Sequence, residues 1–295
     1  MPTPTVRARL LPALVAVAAT VSCGGGDEPP PVATPAVTLA RSEVAIGSPV
    51  EMRYRFTVAA GAPAFQEDYW VFVHFLDRDR ELMWTDDHQP ATPTRAWKPG
   101  ATVEYTRTMF VPKVPYTGTT IVELGLFSPE SGARLPLNAD TSGQRGYTVA
   151  TFDMVLDSEA RFVVFREGWH ATEVADDEVG TEWQWSKGEA SLVFRNPRTD
   201  VTFYLQLDQP VNALPGPQQV ELRLGAGTVD RFALPAGARE LRMFPLTQAQ
   251  LGDSETVEMR LAVDRTFVPA EVPALRSGDT RELGVRVFRA YIEPR

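Results

Sequence analysis

Cysteine occurs once in the 295 residues, at Cys23. No internal disulfide is therefore possible, and any sandwich of sheets must be held by packing alone. Histidine is nearly as scarce, at His74, His88 and His170. Three histidines leave little for a metal centre, which needs three or four converging ligands. No Gly-x-Ser-x-Gly elbow or cysteine nucleophile is present to work with any of them. Positive charge is also short: 29 basic residues against 38 acidic give a formal charge of −9. That balance repels phosphate backbones, so nucleic acid is excluded as a partner. After the first two dozen residues no uninterrupted apolar run long enough for a transmembrane helix remains.

What is plentiful is proline (25) and glycine (21), scattered without period through a chain that is 43% hydrophobic. Such punctuation suits an all-β protein with many tight turns and a substantial core. The start reads as an export signal: Arg7 and Arg9, an apolar stretch from Leu10 to Val21, then small residues. Thr20-Val21-Ser22-Cys23 resembles a bacterial lipobox, with threonine where leucine is usual. That resemblance implies cleavage after residue 22, acylation of Cys23 and an exported protein anchored to a bacterial membrane, facing the periplasm or the cell surface. Acylation would also consume a thiol that has no partner in an oxidising compartment. Gly24-Gly25-Gly26-Asp27-Glu28-Pro29-Pro30-Pro31 then reads as part of a tether over residues 23–35.

Period-two alternation marks the rest. Val50 to Val58 alternates without a break, the pattern of a strand with one buried face. Trp70 to Leu76 is apolar on both faces, as in a covered central strand. Val103–Tyr105, Ile121–Phe127 and Tyr147–Met154 continue the series, separated by turns such as Lys98-Pro99-Gly100. About seven strands over 36–157 predict an immunoglobulin-like β-sandwich. With a boundary near Asp157-Ser158-Glu159, the nine or ten strands of 158–295 predict a jelly-roll-like β-sandwich. Thr247–Leu251 is expected to form one helical turn.

Val71-Phe72-Val73-His74-Phe75-Leu76-Asp77, Trp97-Lys98-Pro99-Gly100 and Gly125-Leu126-Phe127 resemble one recurrent bacterial β-sandwich module. Gly168-Trp169, Trp183-Gln184-Trp185, Phe267-Val268-Pro269-Ala270 and Asp279 to Val285 are similar to another. Modules of both kinds accompany bacterial envelope glycosyltransferases. With no membrane-embedded transferase part in the sequence, the resemblance implies an accessory or binding role and no transferase activity.

Candidate ligand-binding residues are the tryptophans. Trp183 and Trp185, two apart on a strand, share a face, and if wet would form a platform for sugar rings; burial of at least one is the expectation. Trp169, and Trp84 before an acidic loop, are the better candidates for exposure. Asp86-Asp87-His88 is a thin metal motif, and Glu173, Asp176, Asp177 and Glu178 are weak calcium candidates whose spacing does not match an EF-hand. No cofactor is expected otherwise. The functional expectation is a non-catalytic, lipid-anchored envelope protein that binds glycan or serves surface assembly. The alternatives are a protein–protein interaction module and a glycoside-acting enzyme, the last needing two facing carboxylates.

Overall fold

The computed structural model describes residues 29–156, 163–175 and 181–295. Cys23, its signal and most of the tether lie outside the described residues, as do Asp176, Asp177 and Glu178. Residues 31–295 form one compact unit, built nearly throughout from strands. Among the described residues no helix is long and apolar enough to cross a membrane.

The first pair of sheets comes from ten strands. They are β1 (Ala33–Leu39), β2 (Glu43–Ala45), β3 (Pro49–Val58), β4 (Trp70–Leu76), β5 (Leu82–Thr85), β6 (Thr102–Phe110), β7 (Gly118–Phe127), β8 (Arg134–Leu135), β9 (Thr141–Gly143) and β10 (Gly146–Val155). One sheet has the order β1-β3-β6; the other runs β2-β10-β7-β4-β5. The opening strands split between the sheets, β1 antiparallel to β3 and β2 parallel to β10. This is the immunoglobulin-like arrangement, without the cysteine pair. Met52, Tyr54 and Phe56 of β3, each fully buried, fill the space against Val122, Leu124 and Leu126 of β7 instead.

The expected tether extended to residue 35, but the structured chain starts earlier. Val32 and Ala33 are buried, and β1 pairs with β3 along its whole length. Proline content concealed this strand. Because β1 is an edge strand, Pro35 can occupy it without breaking a ladder on the outer side.

The second pair comprises β11 (Val163–Phe165), β12 (Glu173–Val174), β13 (Glu182–Trp185), β14 (Glu189–Arg195), β15 (Val201–Asp208), β16 (Gln218–Leu224), β17 (Gly227–Leu234), β18 (Glu240–Leu246), β19 (Thr256–Val263) and β20 (Arg286–Pro294). Sheet β11-β14-β19-β16-β17 faces sheet β12-β13-β20-β15-β18. Taking β13 to β20 as strands one to eight, the orders are 1-8-3-6 and 2-7-4-5, the jelly-roll weave with β11 and β12 added at edges. Leu192, Phe203, Leu205, Leu222 and Leu261 meet in its core. The turn α1 (Gln248–Leu251) forms where expected, capped by a reciprocal Thr247–Gln250 box.

Candidate functional site

The site is a groove where the two sandwiches meet. β6 ends in Phe110, whose ring stands edge-on to Tyr204 of β15 and Tyr291 of β20, with centroids 6.3 and 6.4 Å apart. Ion pairs flank this aromatic contact. Arg41 reaches Glu293, while Glu182 takes Lys113 at 2.6 Å and Arg289 at 3.3 Å. Beside it opens a groove of about 300 Å³. One wall is Asp86, Arg107, Thr108 and Met109; the other is Gln206, Arg239 and Leu241.

The first wall is braced from inside. Arg107 stands in the inward register of β6, after Val103 and Tyr105, and grips Asp86 through two nitrogens at 3.1 and 2.8 Å. Burial is the largest single influence on Arg107 and works against its charge, but the hydrogen bonds to Asp86 together with the charge interactions with Asp86, Tyr54 and Tyr105 raise the guanidinium pKa overall. Behind Asp86 lies His88, only 5% exposed. Its Nδ1 lies 2.7 Å from the Asp86 carbonyl and its Nε2 lies 2.9 Å from the Tyr105 hydroxyl. A carbonyl only accepts, so Nδ1 carries the proton and Nε2 accepts from Tyr105. Burial, followed by the Arg107 charge, pushes the His88 pKa down; burial pushes the Tyr54 and Tyr105 hydroxyls up. Tyr54 stacks on Tyr105 at 5.1 Å and meets His88 edge-on.

The second wall has an aromatic bed. The Arg239 guanidinium lies over the Phe288 ring, 3.9 Å from its centroid. Deeper, Arg286 makes a two-point bond to Asp208 at 2.7 and 2.6 Å and lies 5.4 Å from the ring centroids of Phe288 and Trp183.

The tryptophans singled out by sequence are dispersed. Trp185 is 7% exposed and packs with Phe267, Ala213 and Leu283 in a small cluster on the sheet's outer side. A wet Trp183/Trp185 platform therefore does not form, and Trp183 is half-buried against Phe288. Trp169 is half-buried, its indole nitrogen donating to the Ser191 carbonyl at 2.8 Å. Gly168, at φ 77°, lets that segment lie against β14, since a side chain there would strike Glu189 and Ala190 backbone. Trp84 stacks on Phe75 at 4.5 Å and packs on the first core, so it is no exposed loop residue. The most open indole is Trp70, at 37%, in the strand expected to be covered on both faces.

Asp86-Asp87-His88 is not a loop. Backbone bonds to Val71 and Val73 extend the hairpin through it, and Asp87 accepts from the Val73 amide. Asp86 and His88 lie side by side, held by Arg107 and Tyr105 of β6, while Asp87 turns to the Val73 amide. His74 packs on Phe72, and His170 bonds the Glu282 carbonyl. Glu173 pairs with Arg281, which also clasps Asp279. Gly284 lies so close to Ser186 and Lys187 that a side chain there would strike them. Among the described residues no three His, Cys, Asp or Glu groups gather to hold a metal.

Sequence reading missed Arg107, Gln206 and Arg239. Only Arg107 carried a signal, a charge placed in the apolar register of a strand.

No family model and no curated protein matches the chain. Among solved structures it is similar to a tandem of CBM22 domains from Paenibacillus barcinonensis Xyn10C, at 12% identity, covering 85% of this chain and 79% of that one, with a TM-score of 0.29. A Bacillus subtilis family 43 arabinoxylan arabinofuranohydrolase gives 9% identity, coverage of 89% and 54%, and a TM-score of 0.26. A Pseudomonas fluorescens alkylpurine DNA glycosylase gives 12%, 42% and 30%, and 0.27. The chain thus spans about half of the arabinofuranohydrolase and under a third of the glycosylase. At identities and TM-scores this low, the likeness carries no argument about activity.

Proposed function

We propose that this is a non-catalytic glycan-binding protein of the cell envelope, lipid-anchored at Cys23, with the junction groove as its binding site. The observation that carries the reading is the lining: two guanidinium groups, a carboxylate, a carboxamide and a hydroxyl converge from the two sandwiches on one open groove. Sugars present neighbouring hydroxyls that both donate and accept, and planar two-point groups match such pairs. Apolar ligands would waste these groups by stranding them dry. The volume falls at the small end of the ligand-pocket range of roughly 300–1,000 Å³, in keeping with a short stretch of a polymer passing across an open groove.

Among the described residues the lining holds one carboxylate, Asp86, and Arg107 grips it at two points, which supports the non-catalytic part of the reading. Glycoside hydrolysis uses two facing carboxylates, one of them free to carry a proton.

The test is a glycan array probed with detergent-solubilised full-length protein and with Leu241→Trp, which fills the groove from β18. Binding by the parent and loss in the variant, at unchanged thermal stability, is the expected result. Equal binding by both would move the site elsewhere, and a silent array for the parent would refute the glycan reading. Cys23→Ser is expected to release the protein from membranes; persistent membrane attachment would refute the anchor.

A further inference from the structure

The outer face of the sheet β2-β10-β7-β4-β5 brings together aromatic rings and arginines that the groove does not use. Trp70, Phe72 and His74 alternate onto this face of β4, with Phe127 of β7 opposite Trp70 and Glu123 opposite His74. The Trp70 ring, 37% exposed, stands 6.5 Å from Phe127, which is 6.3 Å from Phe72. Over Phe72 lies the Arg134 guanidinium, 4.4 Å from the ring centroid.

The β9–β10 hairpin leans over the same face. Ser142 donates to Glu123, and the Arg145 carbonyl comes so close to Gly125 that a side chain there would strike both it and Phe72. At the hairpin's tip Gln144 and Arg145 have φ of 47° and 57°, left-handed values that residues with side chains disfavour. Reciprocal bonds hold them there: Arg134 donates to the Gln144 carbonyl at 2.8 Å and Arg145 to the Arg134 carbonyl. Backbone held in this way is concentrated at binding and switch sites.

The charges do not balance. Arg80 is matched by Glu123 at 2.7 Å. The hydrogen bonds of Arg134 and Arg145 go to backbone carbonyls, and among the described residues neither forms an ion pair. One carboxylate against three guanidinium groups leaves two positive charges unmatched, on a chain whose formal total is −9. Two like charges fastened to neighbouring stretches of backbone repel, and an anion between them removes that repulsion. Each guanidinium spends one nitrogen on its carbonyl and keeps in-plane N–H groups for an oxyanion. The open indole beside them offers a flat apolar face to the C–H side of a ring.

We propose that this face is a second binding site, for acidic sugars, with a carboxylate or sulfate held by Arg134 and Arg145 and a sugar ring on Trp70. None of these residues lines the junction groove, so the two sites stand or fall separately.

Titration calorimetry on full-length Leu241→Trp in detergent, with its groove filled, isolates the face. Oligogalacturonate against its methyl ester, and dextran sulfate against dextran, are pairs that differ in charge. At least one charged member is expected to bind about tenfold or more tighter than its neutral partner, a difference of about 1.4 kcal/mol. Adding Arg134→Gln and Arg145→Gln should shrink that ratio severalfold; adding Trp70→Ala instead should weaken both members and keep the ratio. Raising salt to about 1 M, where screening acts over about 3 Å, should shrink the ratio with every arginine in place, a check free of any folding defect. Uronate preference identifies carboxylate and dextran sulfate preference identifies sulfate; either upholds the site. Equal affinity within both pairs overturns it, whatever the parent does on the glycan array. A ratio that survives the arginine changes or the salt overturns the role of the two arginines, and unchanged affinities in Trp70→Ala overturn the stacked ring. Binding to phosphatidylglycerol vesicles with no response to any sugar makes the face a membrane contact and overturns the sugar assignment.

Discussion

Phe110 is the residue on which the groove's two walls depend, and its removal can be worked through. The ring makes two edge-to-face contacts, with Tyr204 and Tyr291. Each is worth about 0.5–1.5 kcal/mol beyond simple burial. The ring is half-buried, so its apolar area adds about 1 kcal/mol more. Phe110→Ala should therefore cost about 3 kcal/mol of coupling between the sandwiches. The flanking Lys113–Glu182 pair is largely exposed and is worth only about 0.2–1 kcal/mol. The aromatic contact should dominate. In differential scanning calorimetry the parent is expected to unfold with its sandwiches coupled. Phe110→Ala should broaden or split the transition and lower its first midpoint by about 6–12 °C, at 2–4 °C for each kcal/mol. Adding 1 M salt should weaken the ion pairs and leave this difference nearly intact. A loss below 1 kcal/mol for Phe110→Ala, together with a larger loss for Lys113→Ala, would refute the assignment of the interface to the ring.

The remaining predictions concern the braced wall and the first core. Burial and Arg107 keep the folded-state pKa of His88 below its unfolded value of about 6.5, so the unfolded chain takes up the proton first. Its contribution to stability is full above about pH 6.5 and is lost as pH falls from there toward the folded value. Urea titrations from pH 8 to 5 should show this loss, and His88→Gln should remove its part of the slope; an identical slope in the variant would count against the buried neutral ring. Trp97 donates its indole N–H to the Thr92 carbonyl at 2.9 Å, whereas the buried Trp84 nitrogen has no partner among the described residues. Trp97→Phe should therefore cost about 1–2 kcal/mol more than Trp84→Phe, because it gives up a hydrogen bond while the other change removes an orphan donor. Equal losses in chemical denaturation would contradict this.

Architecture was legible because side chains on a strand alternate strictly. Val50 to Val58 reads as half-buried, and its buried positions are Val50 and every second residue from there. β1 was hidden by its proline, whose cost depends on being at a sheet edge, a fact of neighbours and not of sequence. Trp70 and Trp84 were misjudged for a related reason. Alternation tells which face a ring takes, but the outer face of β4 is covered at Phe72 by Arg134 and left open at Trp70. The groove was hardest to read, since its walls lie a hundred residues apart along the chain and are brought together by the Phe110 contact and the ion pairs that flank it.

β20 carries a consequence for biosynthesis. The last strand of the second sandwich lies in the middle of its sheet, between β13 and β15, and not at a margin. The first sandwich has all its described strands once residue 155 has emerged, and can close while synthesis continues. The second cannot; until residues 286–294 arrive, β13 and β15 offer bare backbone to any passing chain. A stop codon just before β20 would split that sheet down its centre, so a lesion that looks like a minor trim should cost the whole jelly roll and leave a sticky product.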